Sequence, residues 1–124
     1  MTLIPTLKCK DLNESLDFYT NVLGFALEFS HSNDDHRLVF AGIKKDSCLI
    51  HLSSHAGDGV YGSVVYAVVE EVDALFEEFV KRGLKPSKTD SPVHQGPTTQ
   101  TWGMREFYVD DPNGNTLRFG CTSS

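Results

Sequence analysis

The chain reads as one unit written twice. Leu12, Leu16, Tyr19 and Leu23 recur at spacings of four and three, the stripe of an amphipathic helix over about 12–23, with Asp11 or Asn13 as its cap and Gly24 as its stop. Val72, Leu75, Phe76, Phe79 and Val80 repeat the stripe at i, i+3, i+4, i+7 and i+8, and Gly83 closes it. Laying residue 11 on residue 70 places Leu16 on Leu75, Gly24 on Gly83 and Phe25 on Leu84. Strand-like runs flank both helices: 3–9, 25–31, 38–43 and 48–53 in the first half, then 63–69, a weaker 85–89, 104–109 and 116–119 in the second. A glycine-rich linker, SHAGDGVYG, separates the halves, and Asp111-Pro-Asn-Gly114 signals a tight turn. The pattern predicts two βαβββ units in tandem, about 1–53 and 63–120, within one domain spanning 1–124. Each half-sheet alone leaves a face uncovered and an edge unpaired, so the duplication favours a shared core and a ligand cavity.

A chain of 124 residues, 40% hydrophobic and 23% charged, is long enough to bury an independent core and is not of disordered composition. The net charge of −6 and pI near 5.2 disfavour nucleic acid as a partner and would steer a cationic small molecule inward. Cys9, Cys48 and Cys121 form no CxxC pair and suggest neither a disulfide framework nor a zinc site; buried, inert thiols are the expectation. The N-terminal residues do not read as a signal peptide, and no run approaches the roughly 18 apolar residues that span a bilayer. A reduced, cytoplasmic protein without membrane partners is expected. There is no GxSxG elbow, P-loop or GxGxxG. Glu70 and Glu71 read as an acidic helix N-terminus rather than as an acid–base pair.

Residues 11–25, DLNESLDFYTNVLGF, resemble the first helix of the vicinal oxygen chelate superfamily, which includes glyoxalases, extradiol dioxygenases and bleomycin resistance proteins. Residues 110–119, DDPNGNTLRF, resemble its closing hairpin. Residues 102–115, beginning Trp102-Gly-Met-Arg-Glu-Phe107, are similar to the bleomycin resistance branch, as are Phe40-Ala-Gly-Ile43 and Leu49-Ile-His-Leu-Ser53. The resemblance covers about 3–120. It implies an α+β fold in which the strands form a cup-shaped mixed sheet, and a strand-exchanged homodimer with cavities between the chains.

The superfamily's enzymes hold a divalent metal with His and Glu side chains from four strands. The matching places here are Ile4, His51, Ser63 or Val64, and Arg118. One imidazole beside a guanidinium does not make a metal centre, so neither a metal site nor a cofactor is expected. His31, His36, His55 and His94 lie near strand ends or in loops and are expected to be solvated.

A binder without a metal needs apolar concave surface and a few orienting polar groups. Trp102, the only tryptophan, sits in a Gly/Thr-rich loop and can stack on a flat ligand or serve as a lid over the core. The resemblance places Phe40, Ser53 and Tyr66 on the cavity wall, with His51 beside them; ordinary sheet packing is the alternative for each. Asp34 and Asp35 could attract a cationic tail, although turn charges are more often solvated. Arg105 and Glu106 read as a cross-strand ion pair. The expected function is a metal-independent protein of bleomycin resistance type, with no catalytic residues, that sequesters a glycopeptide antibiotic or a similar, cationic aromatic, ligand. The alternative is a metal-dependent glyoxalase- or dioxygenase-like lyase, isomerase or oxygenase.

Overall fold

A computed structural model describes residues 1–123. The first half runs β1 (Thr6–Lys8), α1 (Leu12–Asp17), β2 (Ala26–Ser32), β3 (Leu38–Lys45) and β4 (Cys48–Ser53). The second runs β5 (Val64–Val68), α2 (Val72–Lys81), α3 (Pro92–Gln95), β6 (Thr98–Thr99), β7 (Met104–Asp110) and β8 (Thr116–Thr122). The strands form two four-stranded sheets, ordered β1-β4-β3-β2 and β5-β8-β7-β6. The orders correspond position by position. In each half the strand before the helix pairs parallel to the last strand, β1 with β4 and β5 with β8, and the other pairs are antiparallel. The tandem α+β repeat is therefore present.

Helix α1 starts where Asp11 accepts the backbone N–H groups of Asn13 and Glu14, satisfying two of the donors that a helix N-terminus leaves free. The helix does not continue to residue 23 as a regular α-helix. Phe18–Val22 widen into a π turn, in which Leu23 N–H bonds the Phe18 carbonyl, five residues back. The apolar stripe survives this change: Tyr19 and Leu23 are fully buried. Gly24, at φ +73°, then turns the chain into β2.

One core joins both halves. Leu7, Ala41, Ile43, Ile50 and Leu52 meet Leu12 and Tyr19, while Phe107, Val109, Leu117 and Phe119 meet Phe79 of α2. Phe79 lies edge-on to both Phe107 and Phe119, at centroid distances of 5.9 and 5.3 Å. Lys45 of β3 bonds Glu78 of α2 at 2.9 Å, a link between the halves. One face of each sheet is thus covered by α1 or α2, and the short α3 packs against β7 through His94, whose ring lies 5.7 Å from that of Tyr108.

The expected strand at 85–89 is absent. Pro86 has no N–H to give a ladder, and Ser87 and Lys88 instead reach Asp110, at 3.0 and 3.7 Å. The edge strand of the second sheet is the two-residue β6, inside what reads in sequence as loop. Cys9 is buried but Cys48 is exposed and Cys121 half-buried, so inert burial holds for Cys9 alone.

Candidate functional site

Residues on alternate positions of a strand share a face, so the face of each sheet turned from α1 and α2, its helix-free face, follows from the register. On the first sheet it carries Phe40 and His51, with Phe29 and His31 from β2. The His51 ring stands edge-on to Phe40 at 5.1 Å and to Phe29 at 5.4 Å, and Phe29 stacks on Phe40 at 6.0 Å. Gly42 makes this possible. A Cβ there would lie 2.2 Å from the Phe29 ring, so the ring rests directly on the strand backbone.

On the second sheet the helix-free face carries Tyr66, Arg118, Tyr108 and Glu106. Arg118 is paired in register with Tyr66 on one side and Tyr108 on the other. Its guanidinium lies 5.3 Å from the Tyr66 ring and 4.6 Å from the Tyr108 ring. Arg118 Nη2 donates to Glu106 Oε1 at 3.2 Å, and the Tyr66 hydroxyl donates to Glu106 Oε2. Glu106 is only 1% exposed. Burial pushes its carboxyl up, but the donors from Tyr66, Arg118 and the Trp102 indole outweigh this and leave it below its ordinary range. Tyr66 is pushed up to about 12, by desolvation first and then by its bond to the Glu106 carboxylate.

The sequence reading of Arg105 and Glu106 as one ion pair is corrected. Neighbours along a strand point to opposite faces, and here they serve different partners. Arg105 turns to α2 and grips Asp73 with Nε and Nη2, at 3.0 and 2.9 Å. Glu106 turns to the helix-free face.

The structure brings Phe40 and His51 together on the first sheet, and Tyr66 with Trp102 around Glu106 on the second. Trp102 occupies the turn before β7 and is 59% exposed. Ser53 pairs with Phe40 in the β3–β4 ladder, yet its hydroxyl is engaged elsewhere. It is fully buried, donates to Asp58 at 2.7 Å and accepts the His55 N–H at 3.1 Å, bracing the start of the linker. Phe29 and Tyr108 escaped the sequence reading, which took Glu106 only as a partner of Arg105. The alternation of 106 with 108 along β7, set beside Arg118, is the signal that could have found Tyr108 and the face of Glu106. His94 is not solvated: it is buried, bonds Ser91 at 2.7 Å and lies 3.3 Å from Asp110. Asp34 and Asp35 lie in an exposed turn, as does His36. Glu71 occupies the cap position of α2 without a side-chain bond.

The residues at the superfamily's metal positions do not fit a metal. The residue level with His51 on β1 is Thr6, and the residue level with Arg118 on β5 is Tyr66; Ile4 and Ser63 precede their strands. The donor set is thus a hydroxyl, an imidazole flanked by two phenyl rings, a phenol bonded to Glu106 and a guanidinium. Among the described residues no three His, Cys, Asp or Glu side chains cluster to hold an ion. Between the sheets lies an open cleft of ≈ 690 Å³, bordered by Leu3 and Ile4, by Phe29 and Cys48, and by Tyr66 and Phe119. Its size suits a small organic molecule. Among the described residues no helix is long and apolar enough to cross a membrane.

The model of the family described as glyoxalase superfamily protein matches residues 1–124. The chain belongs to the glyoxalase superfamily. Its fold is shared with a glyoxalase-related enzyme from Clostridium phytofermentans, at 20% identity and TM-score 0.78, over 98% of this chain and 95% of that one. It is shared with a bleomycin resistance determinant encoded on the transposon Tn5, at 18% identity and TM-score 0.77, over 100% and 99%. The bleomycin-binding protein of Streptomyces verticillus, solved with copper(II)-bleomycin, is 26% identical, with TM-score 0.68, over 96% and 93%. No curated protein matches the sequence. This superfamily fold therefore serves an enzyme in one relative and ligand binding in another.

Proposed function

We propose that the protein is a metal-independent small-molecule binder of the bleomycin resistance type, cytoplasmic and homodimeric, that acts by sequestration. The observation that carries this reading is Arg118. It stands where the superfamily's enzymes place a metal ligand, and it is already committed to Glu106 and flanked by Tyr66 and Tyr108. A cation fixed there opposes a second cation, whereas two aromatic faces suit a flat organic guest.

Both helix-free faces are exposed in the single chain. Phe29 is 36% and Tyr66 40% exposed, and every residue of β2 is open to solvent. A second copy of the chain would complete the cavity by closing the aromatic face of one protomer over the Tyr66–Arg118 face of the other. Such a binder protects by affinity alone: the compound is held away from its target and no bond is made or broken. Titrating the protein with a bleomycin-class glycopeptide while following Trp102 fluorescence and binding heat tests the reading. A saturable signal at micromolar ligand is expected. An unchanged spectrum and no heat would remove the antibiotic from the proposal.

A further inference from the structure

The helix-free face of the second sheet contains more hydrogen-bond donors than acceptors. Two carboxylates lie on it, and both are engaged by neighbouring groups. Glu106 takes Tyr66 and Arg118, with the Trp102 indole directed at the same carboxyl. Asp110 takes Thr116 at 2.7 Å and Ser87 at 3.0 Å, with His94 at 3.3 Å and Lys88 at 3.7 Å. With 1% and 14% of their side chains open, neither is presented to a cationic guest. Arg118 is in the opposite condition. A guanidinium carries five N–H groups in a planar fork, and Arg118 makes a single hydrogen bond among the described residues, to Glu106. Its Nε is buried and without a partner, while 31% of the side chain remains open.

The surroundings hold that fork in place. Tyr66 and Tyr108 flank it, and Glu106 fixes one Nη. Gly120 leaves the space this needs, since a Cβ there would lie 2.2 Å from the Tyr66 hydroxyl. Flat surface is at hand in the half-open rings of Tyr66, Tyr108 and Trp102.

We infer that this face recognises a planar organic anion, an aromatic ring bearing a conjugated carboxylate, through the unspent donors of Arg118. The assignment rests on the sequestration function proposed above and names the ligand class of the same site. It runs against the sign of the whole chain, whose net charge is −6. Net charge acts over the Debye length, about 8 Å at physiological salt, and steers encounter; at contact the fixed guanidinium decides which headgroup is held.

Three probes of one shape separate the cases: 2-naphthoate, its neutral carboxamide and the cationic 2-naphthylmethylammonium. Calorimetry and the indole N–H resonance of Trp102 read the binding. Naphthoate is expected to bind at least about tenfold tighter than the amide, the scale of one charge-assisted hydrogen bond, and the ammonium most weakly. Arg118→Gln alone leaves Glu106 buried and unpaired, so the paired variant R118Q/E106Q removes both charges together. It is expected to lose the acid-over-amide preference. Equal or tighter binding of the amide or the ammonium, or a preference that survives in R118Q/E106Q, would overturn the anion assignment while leaving the cavity reading intact. No binding of any of the three would also overturn the anion assignment, and the glycopeptide titration then decides the sequestration reading by itself.

Discussion

Tyr19 donates its hydroxyl proton to Asp111 at 2.9 Å across a sequence separation of 92 residues, in a site where Tyr19 is fully buried and Asp111 6% exposed. This bond belongs to a polar latch between the halves. Asp111 also accepts the N–H groups of Asn113 and Asn115, at 2.8 and 2.9 Å. Asn113 reaches Ser15 at 2.7 Å, and Asn115 reaches the Lys8 carbonyl at 3.0 Å while accepting from Gly62 and Ser63. A polar group buried with its partners is cheap, and one left without them is not.

Tyr19→Phe should therefore lower stability by about 1–2 kcal/mol, since Asp111 keeps its remaining donors. Asp111→Ala should lower it further, by about 3 kcal/mol, because Tyr19 and two backbone N–H groups lose their acceptor together. Urea unfolding checks both: the midpoint falls and the slope is unchanged.

Acid should loosen the second sheet first. Glu106 and Asp110 both titrate below their ordinary values, because hydrogen bonds from neighbouring donors outweigh burial. A carboxyl whose folded value is depressed contributes stability above its unfolded value of roughly 4–4.5, and loses it as the pH falls through the folded value. Stability should thus be flat from neutrality down to about pH 5 and decline below it. E106Q/R118Q should soften that decline. Denaturant midpoints across the acid range measure it.

Tyr19 and Tyr66 should titrate late. Of the four, Tyr19 is held well above its ordinary value by burial and then by Asp111, and Tyr66 is pushed up to about 12. A raised folded value stabilises fully below the unfolded value near 10, and that stabilisation disappears as the pH rises through the folded one. Phenolate absorbance should show two late tyrosines. Gly120→Ala places a methyl group 2.2 Å from the Tyr66 hydroxyl, so the variant should return one of the two to the ordinary range.

Gly42→Ala should disorder the aromatic face of the first sheet. Its Cβ would stand 2.2 Å from the Phe29 ring, which has Phe40 and His51 against its other sides. Displacing the ring costs about 1–3 kcal/mol, the range for overpacking. The proposed ligand affinity should fall with it, as calorimetry of both proteins would report.

How much of this was legible depends on the distance over which each signal acts. Strand β4 is read correctly at both ends, because the turn before Cys48 and the linker after Ser53 are local. The α2 stripe is read for the same reason. The π turn at Phe18–Val22 was hidden, since one wider turn leaves Tyr19 and Leu23 on the same buried side. Strand β6 was hidden because it exists only through pairing with Arg105 and Glu106. At the site, Phe40, His51 and Tyr66 came from family resemblance, and Trp102 from its loop setting. Arg118 was noticed only as an obstacle to metal. Its partnership with Glu106 joins residues on neighbouring strands, which adjacency in sequence disguised as an Arg105–Glu106 pair.

The division of labour between Arg105 and Glu106 leaves strand β7 no tolerance for misalignment. A slip of one residue would bring either Arg105 to Arg118 or Glu106 to Asp73, depending on its direction, and in both cases exchange the two faces of the strand. What prevents this lies outside the site, in the turn that follows. Asp111 N–H meets the Asn115 carbonyl at 2.8 Å and Gly114 N–H meets the Asp111 carbonyl at 3.1 Å, which sets where β8 begins relative to β7. The turn behaves as an indexing pin. The face on which 106, 108 and 118 lie is thus fixed by five residues that do not belong to it.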